Sequence, residues 1–433
     1  MSETGGGGSA SNTGGNPPSD ASRDMIVIGA GIVGICCALY LQRDGHRVTV
    51  LDPQEPGGGA SFGNSGIFAT DHCAPNAKPG LLWELPRMLL DPLGPLTLRW
   101  RYLPRALPWL WRFLAAGRPE AVEAASLALH ALNLQAMEAY RPLLDDAQAH
   151  GLIRKNGWLL VYESTAAFER ARPLKIDLRH KRGVPLEVLD AKGVRELEPA
   201  LTPAVRHGVY FPEVSQTTDP FALVQALAAD FRRRGGVIQT GRVTGFGFGP
   251  GGVEKVHTDG GPFPADGVVL AAGAHSRTLA RRLGAKVPLD TERGYHAMLP
   301  DPGISLKVPV ISGDFHCAMT PMDGGLRVGG SVELAGVDAP PNYARADKLV
   351  SVAKRVLPGL NDAGVTRWMG RRPSMPDSLP VIGPSPRVPN AFFAFGHGML
   401  GLTHGALTGR IVADLVAGRA PPLDLTPYRP ERF

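Results

Sequence analysis

The first strong pattern along the chain is a run of four apolar residues at positions 25–28 (Met-Ile-Val-Ile). Such a run is typical of a parallel strand that is buried on both faces. A mostly apolar stretch then continues to about Asp44, where Gly45 breaks it, and this stretch predicts a helix. A second strand is predicted over 47–51, ending in Asp52. Together these elements predict a strand–helix–strand unit and therefore a parallel sheet.

Three glycines stand between the first strand and the helix in the spacing G-x-G-x-x-G. Gly29 permits a tight turn, Gly31 lets the backbone approach a pyrophosphate, and Gly34 lets the helix pack close to the strand. The alternative is a glycine-rich turn that binds nothing. Because strand, helix, second strand and terminal acid all agree with the dinucleotide fingerprint, we predict a nucleotide site here.

The ends of this unit supply the polar contacts. The first helical turn, with Ile32 and Val33, offers N–H groups and a partial positive charge to the phosphates. Asp52, which Pro53 follows, is placed to accept hydrogen bonds from the adenosine ribose, and its charge argues against NADP. The glycine-dense stretch 245–252 precedes an alternating segment and predicts a hairpin, not a second nucleotide site. A single site at the front of the chain favours a flavoprotein.

Composition narrows the class of protein. A chain of 433 residues suggests two or three domains. The net charge of +6 without long Lys/Arg runs suits anionic small molecules and does not suit nucleic acid. Four cysteines without a CxxC pair favour a reducing compartment, and the histidines lack ligand spacing, so we expect no metal.

The start of the chain carries no sign of a membrane span or a secretory signal. Residues 1–23 are rich in Gly, Ser, Asn and Pro, so we expect a disordered tail. Residues 25–42 carry no charge, but the three glycines explain this stretch better than a span does. We expect a cytoplasmic protein, with at most peripheral contact to the inner face of the membrane.

Four further segments complete the pattern. They are 59–67 (GASFGNSGI), 268–274 (VVLAAGA), 368–373 (WMGRRP) and 395–403 (FGHGMLGLT). In this order they resemble the D-amino acid oxidase superfamily of FAD enzymes, and most of all its bacterial D-amino acid dehydrogenases and D-hydroxyproline dehydrogenases. The resemblance extends from about residue 24 to about residue 420.

The resemblance implies an α/β fold with two domains. A discontinuous Rossmann-type FAD-binding domain would gather residues 24–80, 195–288 and 365–433. Residues 81–194 and 289–364 would form an α+β substrate-binding domain, built on a mixed or antiparallel sheet.

The resemblance also implies where non-covalently bound FAD would lie. The loop 61–67 would follow the ribityl chain and pyrophosphate, Val243 would meet the adenine, and Gly273 would pass near the ribose. The helix N-terminus in 396–403 would face the N1 and C2 oxygen of the flavin, where reduction leaves negative charge. The implied FAD contacts beyond the first motif are Ser61, Asn64, Ser65, Gly66, Ile67, Val243, Ala272, Gly273, Gly370, Gly396, Gly398, Met399, Leu400, Gly401 and Thr403.

Arg372 occupies the arginine position of the family's G-x-R-P motif, which implies that it binds the substrate carboxylate. A planar guanidinium pairs with a carboxylate through two hydrogen bonds, and lysine would not replace it well. For Arg371 we expect a structural ion pair or a contact to FAD. Tyr295 and His296, after a strand-like segment, are expected to face the substrate, although a buried tyrosine with a satisfied hydroxyl is an equally ordinary fate.

Two further histidines are open cases. His397 could support the helix N-terminus beside the flavin or simply cap the helix. His72 is a candidate pocket residue. We expect no general base to be required if the substrate amine binds in its neutral form.

Residues 81–114 hold four of the six tryptophans, at positions 83, 100, 109 and 111, with arginines at 87, 99, 101, 105 and 112. Five prolines predict several short helices rather than one. These helices could pack their tryptophans on the core of the substrate domain, which we favour because Trp and Arg are common at ordinary interfaces. Alternatively, they form a basic face that touches membrane lipid and admits a quinone.

The implied function is FAD-dependent D-amino acid dehydrogenase. Hydride transfer from Cα to flavin N5 would give the imino acid, which water hydrolyses to the 2-oxo acid and ammonia. The electron acceptor would be a quinone, the respiratory chain or O2. The alternatives are dehydrogenation of D-proline or hydroxy-D-proline, an oxidase of glycine or sarcosine type, and the catalytic subunit of a hetero-oligomeric opine or hydroxyproline dehydrogenase.

Overall fold

The computed structural model describes residues 22–78, 94 and 96–433. The predicted first unit forms as expected: strand β1, helix α1 (Ile32–Arg43) and strand β2 lead into a six-stranded sheet. Five strands run parallel, and one antiparallel strand closes an edge. In spatial order they are β10 (Val237–Thr240), β2 (Arg47–Asp52), β1 (Asp24–Ile28), β14 (Gly267–Leu270), β21 (Ala391–Phe395) and β20 (Val381–Pro384).

Helix α1 is buried against a second long helix, Gly401–Val416. The two backbones approach closely at Gly409, where a Cβ atom would lie 2.6 Å from the carbonyl carbon and oxygen of Cys36. Glycine is therefore required at this crossing. The C-terminal helix is thus fixed directly beside the helix that follows the glycine motif.

A nine-stranded mixed sheet forms the second layer. Its long central strands pair antiparallel, and parallel pairing occurs between β16 (Val310–Ser312) and β6 (Trp158–Tyr162) and between β18 (Gly325–Leu334) and β4 (Leu96–Leu98). The path is β19 (Thr366–Ser374), β15 (Asp290–Leu299), β18 (Gly325–Leu334), β17 (Cys317–Met322), β16 (Val310–Ser312), β6 (Trp158–Tyr162), β8 (His207–Phe211) and β7 (Glu187–Asp190), with β4 (Leu96–Leu98) beside β18.

Two small antiparallel sheets complete the strands. The first contains the hairpin predicted at 245–252 and consists of β11 (Val243–Gly249), β12 (Gly252–Thr258) and β13 (Gly261–Pro264). The second consists of β3 (Ile67–Phe68), β9 (Ser215–Thr217) and β5 (Ile153–Lys155). The α-helices that follow α1 in the described residues are α2 (Leu103–Ala116), α3 (Pro119–Asp146), α4 (Thr165–Arg172), α5 (Leu178–Lys181), α6 (Ala191–Leu197), α7 (Pro220–Arg233), α8 (Ser276–Arg282), α9 (Ala344–Val356) and α10 (Gly401–Val416).

Several strands pair across the domain boundaries that the sequence predicted, among them β5, from the substrate-domain segment 81–194, with β9, from the FAD-domain segment 195–288. β8 and β19 fall in segments assigned to the FAD-binding domain, yet both pair within the nine-stranded sheet. Cross-strand hydrogen bonding, which a linear sequence does not display, decides their membership. The domain division itself stays a prediction.

In its described part, the basic aromatic stretch forms a short 3-10 helix, Trp100–Tyr102, which leads into one longer helix that Pro108 does not break. Residues 103–116 form one helix that contains both Pro104 and Pro108. Pro104 sits in the first turn, where a missing N–H costs nothing, so only Pro108 interrupts the ladder. Residues 1–21 of the predicted tail, and Trp83 and Arg87, lie outside the described residues. No described helix is long and apolar enough to cross a bilayer.

Candidate active site

The glycine motif forms a tight turn at the carboxyl edge of the six-stranded sheet. Gly29 has φ +112°, and a Cβ atom there would overlap the Ala271 carbonyl of the neighbouring strand end. At Gly34 a Cβ atom would overlap the Gly29 carbonyl. Only glycine fits either position, so the turn holds the start of α1 beside the end of β14.

The start of α1 provides backbone donors. The first intrahelical hydrogen bond is from Ile35 N to Gly31 O (3.0 Å), so the helix does not use the N–H groups of Ile32, Val33 and Gly34. Ile32 N donates to Ser61 Oγ at 3.0 Å, which brings the loop 61–67 to the helix end.

Asp52 lies at the end of β2, and its carboxylate holds the backbone of the glycine turn at the same carboxyl edge of the six-stranded sheet. Its carboxylate accepts the N–H groups of Ala30 and Gln54, each at 2.8 Å, and burial raises the pKa of the carboxyl. The Asp52 carbonyl accepts Gly241 N at 3.0 Å, which places Val243 two residues from this point. Pro53 is exposed beside it.

Room for a ligand remains at this edge. Gly273 adopts φ +53°, and no atom lies within 4 Å of the place where its Cβ would be. Gly273 follows Ala272 directly after β14, at the carboxyl edge where open α/β sheets bind their ligands. The backbone here is open to close approach by a ligand.

One face of the nine-stranded sheet, which we call the site face, carries Arg372. In the continuous register of β15 with β19, Glu292 pairs with Arg372, Gly294 with Gly370, and His296 with Trp368. Paired residues point to the same side of a sheet. The site face therefore carries these six residues together.

The Arg372 guanidinium lies over Gly294, where a Cβ atom would collide with it. Its Nη1 donates to the Ser331 carbonyl at 3.3 Å. Among the described residues no carboxylate comes within ion-pair distance of this guanidinium, and burial lowers the pKa of Arg372 while nearby Glu292 raises it. Burial also raises the pKa of the Glu292 carboxyl. Most of the guanidinium's donors are therefore available to a ligand.

The loop 61–67 packs on the site face. Arg327, from the adjacent strand β18, donates through Nη1 to the Phe62 carbonyl at 3.2 Å and to the Asn64 carbonyl. The ring of Trp368 fills the space over Gly63 and stacks on His296 with ring centroids 5.0 Å apart. Burial lowers the pKa of His296 to about 3, so its ring is neutral.

Tyr295 does not lie where the sequence placed it. It sits within β15 rather than after a strand, and because side chains alternate, it points away from the site face into the core under α9. Its hydroxyl donates to Glu333 Oε2 (2.5 Å) and accepts Asn342 N (3.1 Å). Tyr295 is thus the buried tyrosine with a satisfied hydroxyl and is not beside Arg372. Arg371 shares that far side and donates to the Val337 carbonyl.

The loop 396–400 meets the end of β19. Gly398 N donates to the Pro373 carbonyl at 2.8 Å, and His397 forms a β-bridge with Ser374. His397 does not cap the helix: its Nε2 pairs with Thr408 Oγ1 at 2.9 Å, and burial lowers its pKa to about 3. Helix α10 begins at Gly401 after Leu400, and its first-turn N–H groups are not used by the helix.

Other predicted residues gather around this helix start. Thr403 Oγ1 accepts Ala69 N at 3.0 Å, which ties the end of the loop 61–67 to α10. Val33 of α1 lies beside Gly401. Half-buried His72 lines a cavity with Ser374, His397 and half-exposed Met399. The remaining loop residues are Ser65, Gly66 and Ile67, and a Cβ at Gly66 (φ +74°) would overlap the Thr217 carbonyl.

These residues fit FAD. Two helix starts direct backbone donors toward the region between the sheets, and Gly273 leaves a path for the nucleotide. On the far side of that region, Arg327 Nε is buried without a described hydrogen-bond partner. Buried polar atoms are normally hydrogen-bonded, so this position suits a polar group that accepts from the Arg327 guanidinium.

Sequence reasoning missed three residues of the site face: Glu292, Arg327 and Trp368. Trp368 stood within the quoted segment 368–373, but nothing in its spacing, or in that of Arg327, indicated that the two residues hold the loop 61–67. For Glu292 the signal was available, because it lies two positions before Gly294 and four before His296 on a period-two strand.

Comparison with known proteins gives consistent matches. A family model described as FAD dependent oxidoreductase (DAO) matches residues 24–415. The chain is 39% identical over 418 residues to a D-amino-acid oxidase of Bradyrhizobium diazoefficiens, covering 95% of this chain and 99% of the relative. It is 32% identical to a D-amino acid dehydrogenase of Sinorhizobium medicae, covering 94% and 99% of the two chains.

Solved structures share the fold. The glycine oxidase of Geobacillus kaustophilus superposes with a TM-score of 0.74 at 21% identity, over 95% of this chain and 99% of that one. The L-proline dehydrogenase of P. horikoshii gives a TM-score of 0.70 at 19% identity, over 95% and 98%. At these identities the similarity concerns the fold alone.

Proposed function

Because this chain belongs to the DAO family of FAD-dependent oxidoreductases, we propose that it oxidises D-amino acids to imino acids as a D-amino acid dehydrogenase. The imino acid then reacts with water to give the 2-oxo acid and ammonia. Relatives that match nearly the whole chain are named for D-amino acids, which supports this substrate class. The α/β fold and the FAD cofactor predicted from the sequence are confirmed.

The observation that carries the proposal is the position of Arg372. Its guanidinium stands on the site face, over Gly294, with the Ser331 carbonyl as its one described hydrogen-bond partner. A substrate carboxylate would accept two parallel N–H···O hydrogen bonds from the remaining donors of this guanidinium. Two fixed oxygens orient the rest of a small amino acid, and this removes most of its rotational freedom before reaction.

Neither histidine near Arg372 is suited to be a general base for the substrate amine. His296 and His397 have pKa values of about 3, and a group with so low a pKa is a poor proton acceptor near pH 7. FAD, when bound, is the oxidant that converts the Cα–N single bond of the substrate to the C=N bond of the imino acid. The first-turn N–H groups of α10 would stabilise negative charge beside the loop 396–400.

The substrate test is product analysis with an artificial electron acceptor. Purified holoenzyme is given a panel of D- and L-amino acids, glycine, sarcosine, D-proline and hydroxy-D-proline, and 2-oxo acid and ammonia are measured. The proposal predicts turnover of primary D-amino acids with both products. Turnover of only glycine and sarcosine, or of only the cyclic substrates, would replace it with one of those activities.

The natural acceptor is a second question, because the relatives include both an oxidase and a dehydrogenase. We propose a quinone acceptor of the respiratory chain, with O2 as the rival that the 39%-identical oxidase favours. Enzyme reduced by substrate without air is then mixed with air or with a soluble quinone. Faster reoxidation by quinone supports a dehydrogenase, and faster reoxidation by air with formation of hydrogen peroxide supports an oxidase.

We further propose a cytoplasmic location, which the four free, buried cysteines support. The catalytic chain is proposed to act without partner subunits. Size-exclusion chromatography of the chain expressed alone, with activity measured across the peak, tests this. An inactive chain that gains activity from a co-expressed partner would instead make it one subunit of a larger dehydrogenase.

A further inference from the structure

Glu292 is a buried carboxyl on the site face that the proposed reaction leaves without a role. It is 7% exposed and pairs across β15 and β19 with Arg372. In the described part of the chain no lysine, arginine or histidine comes within ion-pair distance of its carboxylate, and its one hydrogen-bond partner there is the Ser374 hydroxyl. Burying a carboxylate without a cationic partner is costly, so this position suits a cationic group of a ligand.

Asp290, two positions earlier on the same strand, shows what a structural carboxyl looks like here. It is equally buried at 7% exposure, but the chain itself satisfies it. The Tyr102 hydroxyl donates to both of its oxygens, at 2.8 and 2.9 Å, and the Thr291 N–H donates to Oδ1 at 2.6 Å. These bonds join β15 to the segment before α2. Glu292 has no such set of donors among the described residues.

Glu292 also lies between the two parts of the site. Arg372, directly across the strand pair, extends over Gly294. Ser374, which donates to Glu292, forms a β-bridge with His397 in the loop that leads into α10. The carboxyl therefore stands between the guanidinium expected to bind the substrate carboxylate and the helix start expected to face FAD. Because the amino group of an amino acid is one carbon atom away from its carboxylate, an amino acid bound to Arg372 carries its ammonium near Glu292.

The two side chains together match the charges of a free amino acid. Near neutral pH such a molecule carries a carboxylate and an ammonium. Arg372 offers hydrogen-bond donors to the carboxylate, and Glu292 offers acceptor oxygens to the ammonium. An arginine alone would bring the ammonium into a buried site without a partner, which costs free energy.

We propose that Glu292 binds the ammonium of the substrate and takes up one of its protons before the Cα–H bond breaks. This inference rests on the proposed oxidation of amino acids. An N–H bond of the ammonium breaks, the proton forms an O–H bond with the Glu292 carboxylate, and the electron pair stays on the nitrogen. That pair forms the C=N bond of the protonated imine while the Cα–H bond gives up its electron pair to the oxidant. Glu292 then releases its proton to water.

The charges around Glu292 suit a proton acceptor. Burial raises the pKa of its carboxyl, and Asp290 adds to this, whereas Arg372 and the Ser374 hydroxyl lower it. Asp290 is in turn faced by Tyr102 and Arg277. His397, on the other side of Ser374, is neutral because burial lowers its pKa to about 3. A carboxyl with a raised pKa accepts a proton more readily than an ordinary one and is a better general base near pH 7.

Ligand binding tests the contact with the ammonium without turnover. The compound α-aminoisobutyrate carries both charges but has no hydrogen on Cα, so it cannot be oxidised, and isobutyrate lacks the amino group. Dissociation constants for the holoenzyme are measured by isothermal titration calorimetry at pH 7. The wild type should bind α-aminoisobutyrate more tightly than isobutyrate. Glu292→Gln should weaken α-aminoisobutyrate by about tenfold or more and should bind isobutyrate no more weakly than the wild type does.

The pH profile of kcat/KM for D-alanine tests the proton transfer. Glu292→Gln should lower kcat/KM by about 100-fold at pH 7, within the usual contribution of a general base. The variant should recover as the pH approaches the pKa of the free ammonium, because the amine then arrives without its proton. Asp290→Asn is the matched control, since it makes the same exchange of acid for amide two positions away. It should keep the wild-type pH profile and the wild-type ratio of the two dissociation constants.

Two results would overturn the proposal. One is a wild-type enzyme that binds α-aminoisobutyrate no more tightly than isobutyrate, a comparison that needs no variant to fold. The other is a Glu292→Gln variant whose kcat/KM falls by the same factor at every pH, or does not fall. Failure of the proposed function is seen separately, as a wild-type enzyme that oxidises no D-amino acid. In that case the two ligands still decide whether Glu292 holds an ammonium.

Discussion

Replacing Arg372 by alanine should weaken substrate binding and leave the protein able to hold FAD. The guanidinium lies over Gly294 on the site face with most of its donors unused by described residues, so its main partner is expected to be the substrate carboxylate. A hydrogen bond between charged groups contributes about 1.5–3 kcal/mol. This loss corresponds to a rise in KM of about 10- to 150-fold. Arg372→Lys should fall in between, because it keeps the charge but loses the planar pair of donors.

The neighbouring arginine offers a matched control. Arg371 differs from Arg372 by one strand position, so it points to the opposite side of the sheet and donates to the Val337 carbonyl. Arg371→Ala should therefore leave KM within about twofold of the wild type, although it removes the same charge. KM is measured for several D-amino acids, with flavin absorbance reporting FAD content. Equal KM values in the Arg372 variant and the wild type would refute the carboxylate role.

Three other predictions follow from the same geometry. Gly294→Ala should raise KM about fivefold or more, because the added Cβ would collide with the Arg372 guanidinium. Gly329→Ala should leave KM unchanged, because the nearest atom to its added Cβ would be 3.6 Å away. Tyr295→Phe should leave KM unchanged but lower the free energy of unfolding by about 1–3 kcal/mol in urea titrations, since a bond to buried Glu333 is lost; a large KM effect would contradict its position. The pKa values of three buried histidines, lowered to about 3 in the folded chain, mean that the unfolded chain takes up protons first as the pH falls below about 6.5. These histidines are His296, His397 and His404, and for each the free energy of unfolding should decrease by about 1.4 kcal/mol per pH unit. His404→Gln should remove the contribution of one histidine to this pH dependence. A free energy of unfolding that does not change between pH 6.5 and pH 4 would contradict this.

The sequence predicted the strand, glycine turn and helix at the front of the chain because local rules decide them. Glycines 29, 31 and 34 act through turns and close approach within one strand–helix unit, and their spacing is visible in the linear sequence. The family resemblance, which the family model confirms, added the order of the later segments. No equally local rule covers the substrate side, where the residues come from three strands, β15, β18 and β19, that are brought together only by their pairing.

Strand phase decides between the two alternatives that the sequence left open for Tyr295. Tyr295 and His296 are adjacent, so only one of them can share a face with Arg372, and the register of β15 with β19 selects His296. The sequence showed a strand-like segment but not its partner or its phase. Exposure of Trp100 and Trp111 was equally hidden, because a helix with apolar residues on two sides does not reveal which side meets the core.

Anaerobic mixing of the purified enzyme with D-alanine and, separately, with L-alanine tests the central claim most directly. The account predicts yellow, FAD-containing protein whose oxidised-flavin absorbance near 450 nm, the usual band of flavins, disappears with the D-isomer and persists with the L-isomer. In the Arg372→Ala variant the same loss should require about 10- to 150-fold more D-alanine. Protein that takes up no FAD, or whose flavin keeps its absorbance with every D-amino acid, would contradict the account.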